Sequence, residues 1–408
     1  MKKKEGYIIM LNPKTNEREL AYVVKIDNIE PITGSDNCEA AVVGGWRIMV
    51  RKETFSIGDL AVYFEIDSKV DVTKPEFAFL AKRNGKIKTQ KFTFGGKGNF
   101  ISQGLLMSFA DFGWKDGKYA EGDFLTKELG ITYAEAEDNK RKANSTDKYK
   151  KMAQRHPKLF QNPIIKKIYK TNFGKKALFL FFGKKKDKKG GWPAWVIKTD
   201  EERIQNLASR IEEFQNEKWI ATEKIDGTST TFTLKGKGRK QEYHVCSRNV
   251  AFDTPEKTAK CFYDSNVYLE MDEKYDMYYV LQTIMNETNA LYVTIQGETY
   301  GGKIQKRDYS RSDHELAVFN VIICGQDGIP RRLNPVEMKA KMDEYGIPTV
   351  PIVATDVELP STCDEILAMA HGDSLVDGKP REGLVFRNID GTKSFKAVDN
   401  LFILKYHG

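Results

Sequence analysis

The stretch "WIATEKIDGTSTTFTL", Trp219 to Leu234, sets a lysine, an aspartate and a glycine in the middle of a run rich in Thr and Ile. β-branched residues on both sides favour an extended backbone. On one continuous strand Lys224 and Asp226, two positions apart, project to the same face, so a cation and an anion share one site. K-x-D-G is short, and it equally describes a solvated pair on an edge strand. The rest of the chain has to decide.

At 408 residues, with 40% hydrophobic and 30% charged residues, the chain reads as a soluble globular protein of two domains and a linker. Its longest notable apolar run is "ALFLFF", Ala177 to Phe182, far short of the roughly 20 residues that span a bilayer. The N-terminal "MKKKEGYIIML" runs at once into "NPKTNERE", and no small-residue cleavage site marks it as a secretory signal. Cys38, Cys246, Cys261, Cys324 and Cys363 form no C-x-x-C pair. Neither a zinc site nor a disulfide framework is indicated, and a reducing cytoplasm is the expected home.

The charge is unevenly placed. Residues 140 to 189 hold 18 Lys and Arg against Asp147 and Asp187, a local balance of +16 in a chain whose total is +8, so the remainder carries −8. Such a segment is either a solvated linker or a track for phosphates, with Phe160, Tyr169, Phe173 and Phe179 interleaved for stacking.

Residues 20 to about 130 read as short strands broken by turns at Pro31 to Asn37, Gly44–Gly45 and Gly58–Asp59, the spacing of a small OB-type β-barrel. Further on, "DEERIQNLASRIEEFQ", Asp200 to Gln215, sets Ile204, Leu207, Ala208, Ile211 and Phe214 at helical spacing. With Thr199 as cap and acids in the first turn, it predicts an amphipathic helix. The fold class is α+β, with an N-terminal domain over 1–132, a basic connector over 133–192 and a mixed antiparallel-sheet domain over 193–408.

Downstream of Lys224 stand "SRN" with Arg248, "GETYG" with Glu298, "FN" with Phe319, "REGLVFR" with Glu382, and "SFKAVDNLFILK" with Lys396 and Lys405. Singly, each suits a surface cation, a turn carboxylate or a core residue. In this order, with "KIDG", they resemble motifs I, Ia, III, IIIa, IV and V of the covalent nucleotidyltransferases, the ligases and RNA capping enzymes. The chain ends 12 residues after Lys396, leaving no room for the OB domain that DNA ligases and capping enzymes carry after motif V. The N-terminal barrel, with "GDLAVYFEIDS" and "SQGLL", and the phrase "KTDEERIQNL" are instead similar to the fifth family of ATP-dependent RNA ligases. The long basic segment departs from that pattern.

The resemblance implies three steps. Lys224 becomes adenylylated by ATP, AMP passes to an RNA 5′-phosphate, and a 3′-OH seals the strand. A lysine amine attacks only when unprotonated, so its ordinary pKa near 10.4 must fall, and neighbouring cations bring this about. Lys396, Lys405 and a divalent metal, Mg²⁺ or Mn²⁺, supply that field in the family reading. Asp226, Glu298 and Glu382 would hold the metal, partly through its waters. Gly227 admits the nucleotide closely, Glu223 or its backbone meets the adenine edge, Phe319 stacks on the base, and Arg248 grips ribose or phosphate. The expected partner is RNA, as a nicked duplex or paired ends, and the expected state a monomer. The barrel is expected to serve the RNA steps and not the first. Rival readings are a DNA ligase, a capping enzyme, or a non-catalytic RNA-binding protein with a relic pocket.

Overall fold

In the computed structural model, residues 18–134 (except 97 and 116), 163–169, 171, 174–178, 192–248 (except 199), 250–252 and 266–407 are described. Contacts divide the chain into two compact units: Met1–Glu137, Glu201–Lys224 and Pro351–Gly408 form one, and Asp138–Asp200 with Ile225–Val350 the other. The chain passes between them directly after Lys224.

Unit one begins with ten short strands, β1 Ala21–Lys25, β2 Asn28–Pro31, β3 Cys38–Val43, β4 Trp46–Arg51, β5 Leu60–Phe64, β6 Ser68–Lys69, β7 Gln90–Thr93, β8 Asn99–Ser102, β9 Leu105–Ser108 and β10 Thr132–Tyr133. β5 lies between β1 and β9, and β3 between β2 and β4. Hydrogen bonds from Gln103 N to Arg47 O and from Met49 N to Ser102 Oγ, each 3.0 Å, tie β4 to the β8–β9 stretch. Strand alternation explains why β5 and, up to the exposed Lys25, β1 are apolar on both faces. Ala21, Val23, Val62 and Phe64 face one core with Phe77 and Phe109, while Tyr22, Val24, Ala61 and Tyr63 face another with Trp46 and Ile48.

The quoted stretch is two strands, not one. β11, Trp219–Lys224, ends at the lysine, and β12, Thr228–Lys235, opens unit two's sheet. The expectation that Lys224 and Asp226 share a strand face is therefore corrected: Asp226 lies in the link, after the chain has entered unit two. Gly227 is the reason that link can run so close to β14. A Cβ there would stand 2.4 Å from Thr299 O, a clash only glycine avoids.

Unit two's sheet adds β13 Glu242–Cys246, β14 Tyr292–Gly301, β15 His314–Cys324 and β16 Pro330–Arg332, in the order β13-β12-β14-β15-β16. All its pairs are antiparallel. The chain then returns to unit one with β17 Ile352–Val357, β18 Gly383–Asn388 and β19 Ser394–Val398, giving the antiparallel sheet β17-β11-β18-β19. Its core joins Trp219, Phe386 and Phe395, all fully buried, with Phe395 stacked on Phe386 and on Phe214.

The predicted helix over 200–215 is a 3₁₀-helix, Ile204–Glu213, entered through an extended Arg203 and with no side-chain cap. Ile204, Leu207, Ile211 and Phe214 are buried as read, while Ala208 is half-buried. The acids proposed for a first turn have other work. Glu201 accepts from Arg387 at 3.0 Å and from Ser394, and the Glu202 carboxylate accepts from Asn206 at 2.6 Å. Tertiary hydrogen bonds have overridden helix propensity. Thr199 and most of the basic segment lie outside the described residues, apart from short pieces such as the helix Pro163–Tyr169. Among the described residues no helix is long and apolar enough to cross a membrane.

Candidate active site

In unit one, β11 pairs with β18 so that Lys224 lies opposite Gly383, the residue after Glu382. This register brings motifs 158 residues apart into one ion pair: Lys224 Nζ is 2.8 Å from each carboxylate oxygen of Glu382. The pair is mostly enclosed, with side-chain exposures of 26% and 13%, so it is screened less than a surface pair. Glu382 is anchored from behind by Asp399, whose backbone N–H donates to Glu382 O at 2.8 Å. Lys396 is buried on β19, where its backbone N–H donates to Glu202 O at 2.7 Å.

Glu223, the residue before the lysine, is 1% exposed. Ser374 Oγ donates to one of its carboxylate oxygens at 2.5 Å and Leu375 N–H to the other at 2.8 Å, while its own N–H donates to Pro351 O. Its carboxylate thus clasps the loop before Arg381. Lys405 is exposed, with its ammonium over the Tyr406 ring. Reading the sequence missed Arg203. Its side chain is buried, it bridges to Lys396 along the backbone, and its Nε and Nη1 have no hydrogen-bond partner among the described residues. Its place directly before the apolar run of the 3₁₀-helix was the only available signal.

In unit two, Asp226 is buried and its N–H donates to Tyr309 Oη at 2.7 Å. Glu298 sits in β14, opposite Ser229 and Ala317. A Cβ on Gly227 would lie 2.9 Å from its Cγ, so the K-x-D-G glycine borders this carboxylate. Gly227 O accepts from Gln305 at 2.9 Å. Phe319 lies at a β-bulge, where the register shifts between the pairs Gln296–Asn320 and Gly297–Val318, and it is half-buried between two buried neighbours. A bulge re-aims a side chain. Arg248 pairs with Asp200, Nη2 to Oδ1 2.5 Å.

The carboxylates of Asp226, Glu298 and Glu382 are hard oxygen donors of the kind Mg²⁺ and Mn²⁺ prefer. No group of three or more His, Cys, Asp or Glu side chains is gathered as a metal cage among the described residues.

The RNA ligase family model matches residues 217–407, and an OB-fold domain model matches residues 20–108. Residues 217–407 are thus an RNA ligase domain, preceded in the chain by an OB-fold domain. No curated protein sequence matches it. Among solved structures, an RNA ligase of Naegleria gruberi with PPi is 26% identical with a TM-score of 0.69, over 96% of this chain and 99% of that one. Variants of that ligase are similarly alike: one with AMP and Mn at 26% and a TM-score of 0.69, over 96% and 99%, and one with ATP and Mn at 26% and 0.68, over 95% and 97%. The ligase described here is thus an α+β enzyme with an N-terminal OB-fold domain.

Proposed function

We propose that this ligase joins RNA 3′-OH and 5′-phosphate ends with ATP, by way of a covalent lysyl–AMP on Lys224. The observation that carries the reading is the Lys224–Glu382 ion pair, which joins motif I to motif IV inside the segment the family model matches.

In the first step the unprotonated Lys224 amine attacks the α-phosphorus of ATP. A nitrogen–phosphorus bond forms, the bond from the α-phosphorus to the bridging oxygen breaks, pyrophosphate leaves, and the amine loses a proton. While Glu382 holds Lys224 it favours the ammonium. Glu382 must therefore release the lysine before attack, and the ion pair marks the resting state. Lys396 and the buried Arg203 supply positive charge for the phosphate oxygens. When bound, a divalent metal supplies further charge neutralisation there, and Asp226, Glu298 and Glu382 are the carboxylates assigned to it by motif order. Phe319 stacks on the adenine and Arg248 takes an anionic or ribose oxygen, exchanging it for Asp200. In the later steps AMP passes to the RNA 5′-phosphate oxygen, freeing Lys224. The 3′-OH then attacks the activated phosphate, AMP leaves, and the phosphodiester forms.

The enzyme acts on this reading as a cytoplasmic monomer on nicked duplexes or paired ends, with domains divided near residues 132 and 193. The test is sealing of a nicked duplex with either an RNA or a DNA 3′-OH strand, given ATP, GTP or no nucleotide. ATP-dependent sealing that prefers the RNA 3′-OH supports the proposal. Equal sealing of DNA, or dependence on GTP, would point to a DNA ligase or a capping enzyme, and RNA binding without sealing to a relic.

A further inference from the structure

β19, which carries Lys396, is the outer strand of its sheet. Its inner edge pairs with β18. At Lys396 the outer edge is taken by residues of the segment that enters the 3₁₀-helix: Lys396 N–H donates to Glu202 O, and Arg203 bridges in parallel. That segment is pinned in turn. The Glu202 carboxylate accepts from Asn206 Nδ2 at 2.6 Å, and Asn206 Oδ1 accepts from the indole Nε1–H of Trp46 at 2.6 Å. Trp46 and Asn206 are both buried, at 1% and 8% exposure.

Trp46 belongs to the N-terminal OB-fold domain, as the first residue of β4 after the two-glycine turn of the β3–β4 hairpin. The hairpin tip meets the segment at bare backbone. Gly45 N–H donates to Gln205 O at 2.8 Å, and a Cβ on Gly45 would stand 2.7 Å from Gln205 Cα and 2.5 Å from Cys363 Sγ. Next to it Arg47 donates to Asp364 at 2.7 Å and holds that carboxyl below the usual carboxylate range.

We propose that the OB-fold domain is a positioning element for the first chemical step, with Trp46 acting through Asn206 and Glu202 to fix the backbone of Lys396. This rests on the role given to Lys396 above, and it departs from the expectation that the barrel serves the RNA steps alone. Many aromatic side chains could fill the site of Trp46, but only the indole N–H completes the chain of hydrogen bonds. Losing it leaves Asn206 Oδ1 buried and unpaired, and the amide that holds Glu202 is then free to turn. Because Lys396 acts on charge that develops as the lysine–phosphorus bond forms, a small displacement costs rate more than ground-state binding.

The experiment is single-turnover transfer of label from α-labelled ATP to the full-length protein, over a range of ATP concentrations. Trp46→Phe is expected to lower the limiting rate by about ten- to a hundredfold while the half-saturating ATP concentration moves less than about threefold. Gln103→Leu is the control. It removes another contact of this domain with unit one's C-terminal segment, Gln103 Nε2 to Asn400 Oδ1 at 2.8 Å, off the chain to Lys396, and its limiting rate is expected to match wild type. Asn206→Asp keeps an acceptor for the indole but loses the donor to Glu202. It is expected to repeat the Trp46→Phe signature, and it decides the matter if Trp46→Phe does not fold. A wild-type limiting rate in a folded Trp46→Phe or Asn206→Asp protein overturns the proposal, as does an equal loss in Gln103→Leu, which would mean general loosening. Absence of label on Lys224 in the wild type would overturn the functional reading instead, so the two failures are distinct.

Discussion

Glu223→Gln separates two uses of one carboxylate. The family resemblance gives Glu223 or its backbone to the adenine edge, whereas in the structure its two carboxylate oxygens accept from Ser374 Oγ and Leu375 N–H at 2.5 and 2.8 Å. Both bonds are charge-assisted and the side chain is 1% exposed, so each contributes about 1.5–3 kcal/mol. A glutamine keeps one acceptor and turns its NH₂ toward the other donor. That donor, the Ser374 hydroxyl, can accept from the amide instead, but neither bond is then charge-assisted, for a local cost of about 2–3 kcal/mol. Since about 1.4 kcal/mol is a factor of ten, amide exchange at Leu375 should quicken by roughly 30- to 150-fold if it opens locally. Hydrogen exchange with residue-level readout measures it, and titration with ATP measures the other role. Unchanged protection at Leu375 with a tenfold weaker affinity for ATP would refute the loop-clasp account and return the carboxylate to the nucleotide.

Four further outcomes are expected. Glu382→Ala should lose nick sealing by several orders of magnitude, and chelation of divalent ions should stop adenylylation of the wild type; full activity in EDTA would count against a metal requirement. Phe395→Ala empties a fully buried site beside Trp219, Phe214 and Phe386, and urea unfolding should show unit one destabilised by about 3–5 kcal/mol. Burial pushes the Cys363 thiol up from 9.0 to about 12, so at pH 8 the folded protein should be alkylated there about a thousandfold more slowly than an ordinary thiol; labelling as fast as in the denatured chain would show the site open.

The barrel was legible because β1, β3, β4 and β5 are short, largely apolar runs bounded by turn residues. The candidate site reads in the sequence as ordered motifs, of which the structure brings Lys224 and Glu382 together through the register of β11 on β18. Other features had no local signature. The break after Lys224 hides inside a run whose residues favour strand on both sides, and it is set by the close approach of Gly227 to β14. The acids at 201 and 202 look like a helix first turn, yet they bind Arg387, Ser394 and Asn206, partners up to 193 residues away. Nothing in the sequence ties Arg203 or Trp46 to Lys396, because that relation exists only in three dimensions.

The most direct test of the account is where AMP becomes attached. Full-length protein incubated with α-labelled ATP and Mn²⁺, digested and mapped by mass spectrometry, should carry one AMP on Lys224, and Lys224→Ala should take up no label while an exposed-lysine control such as Lys339→Ala labels normally. AMP on another lysine, or undiminished label in Lys224→Ala, would contradict the central claim.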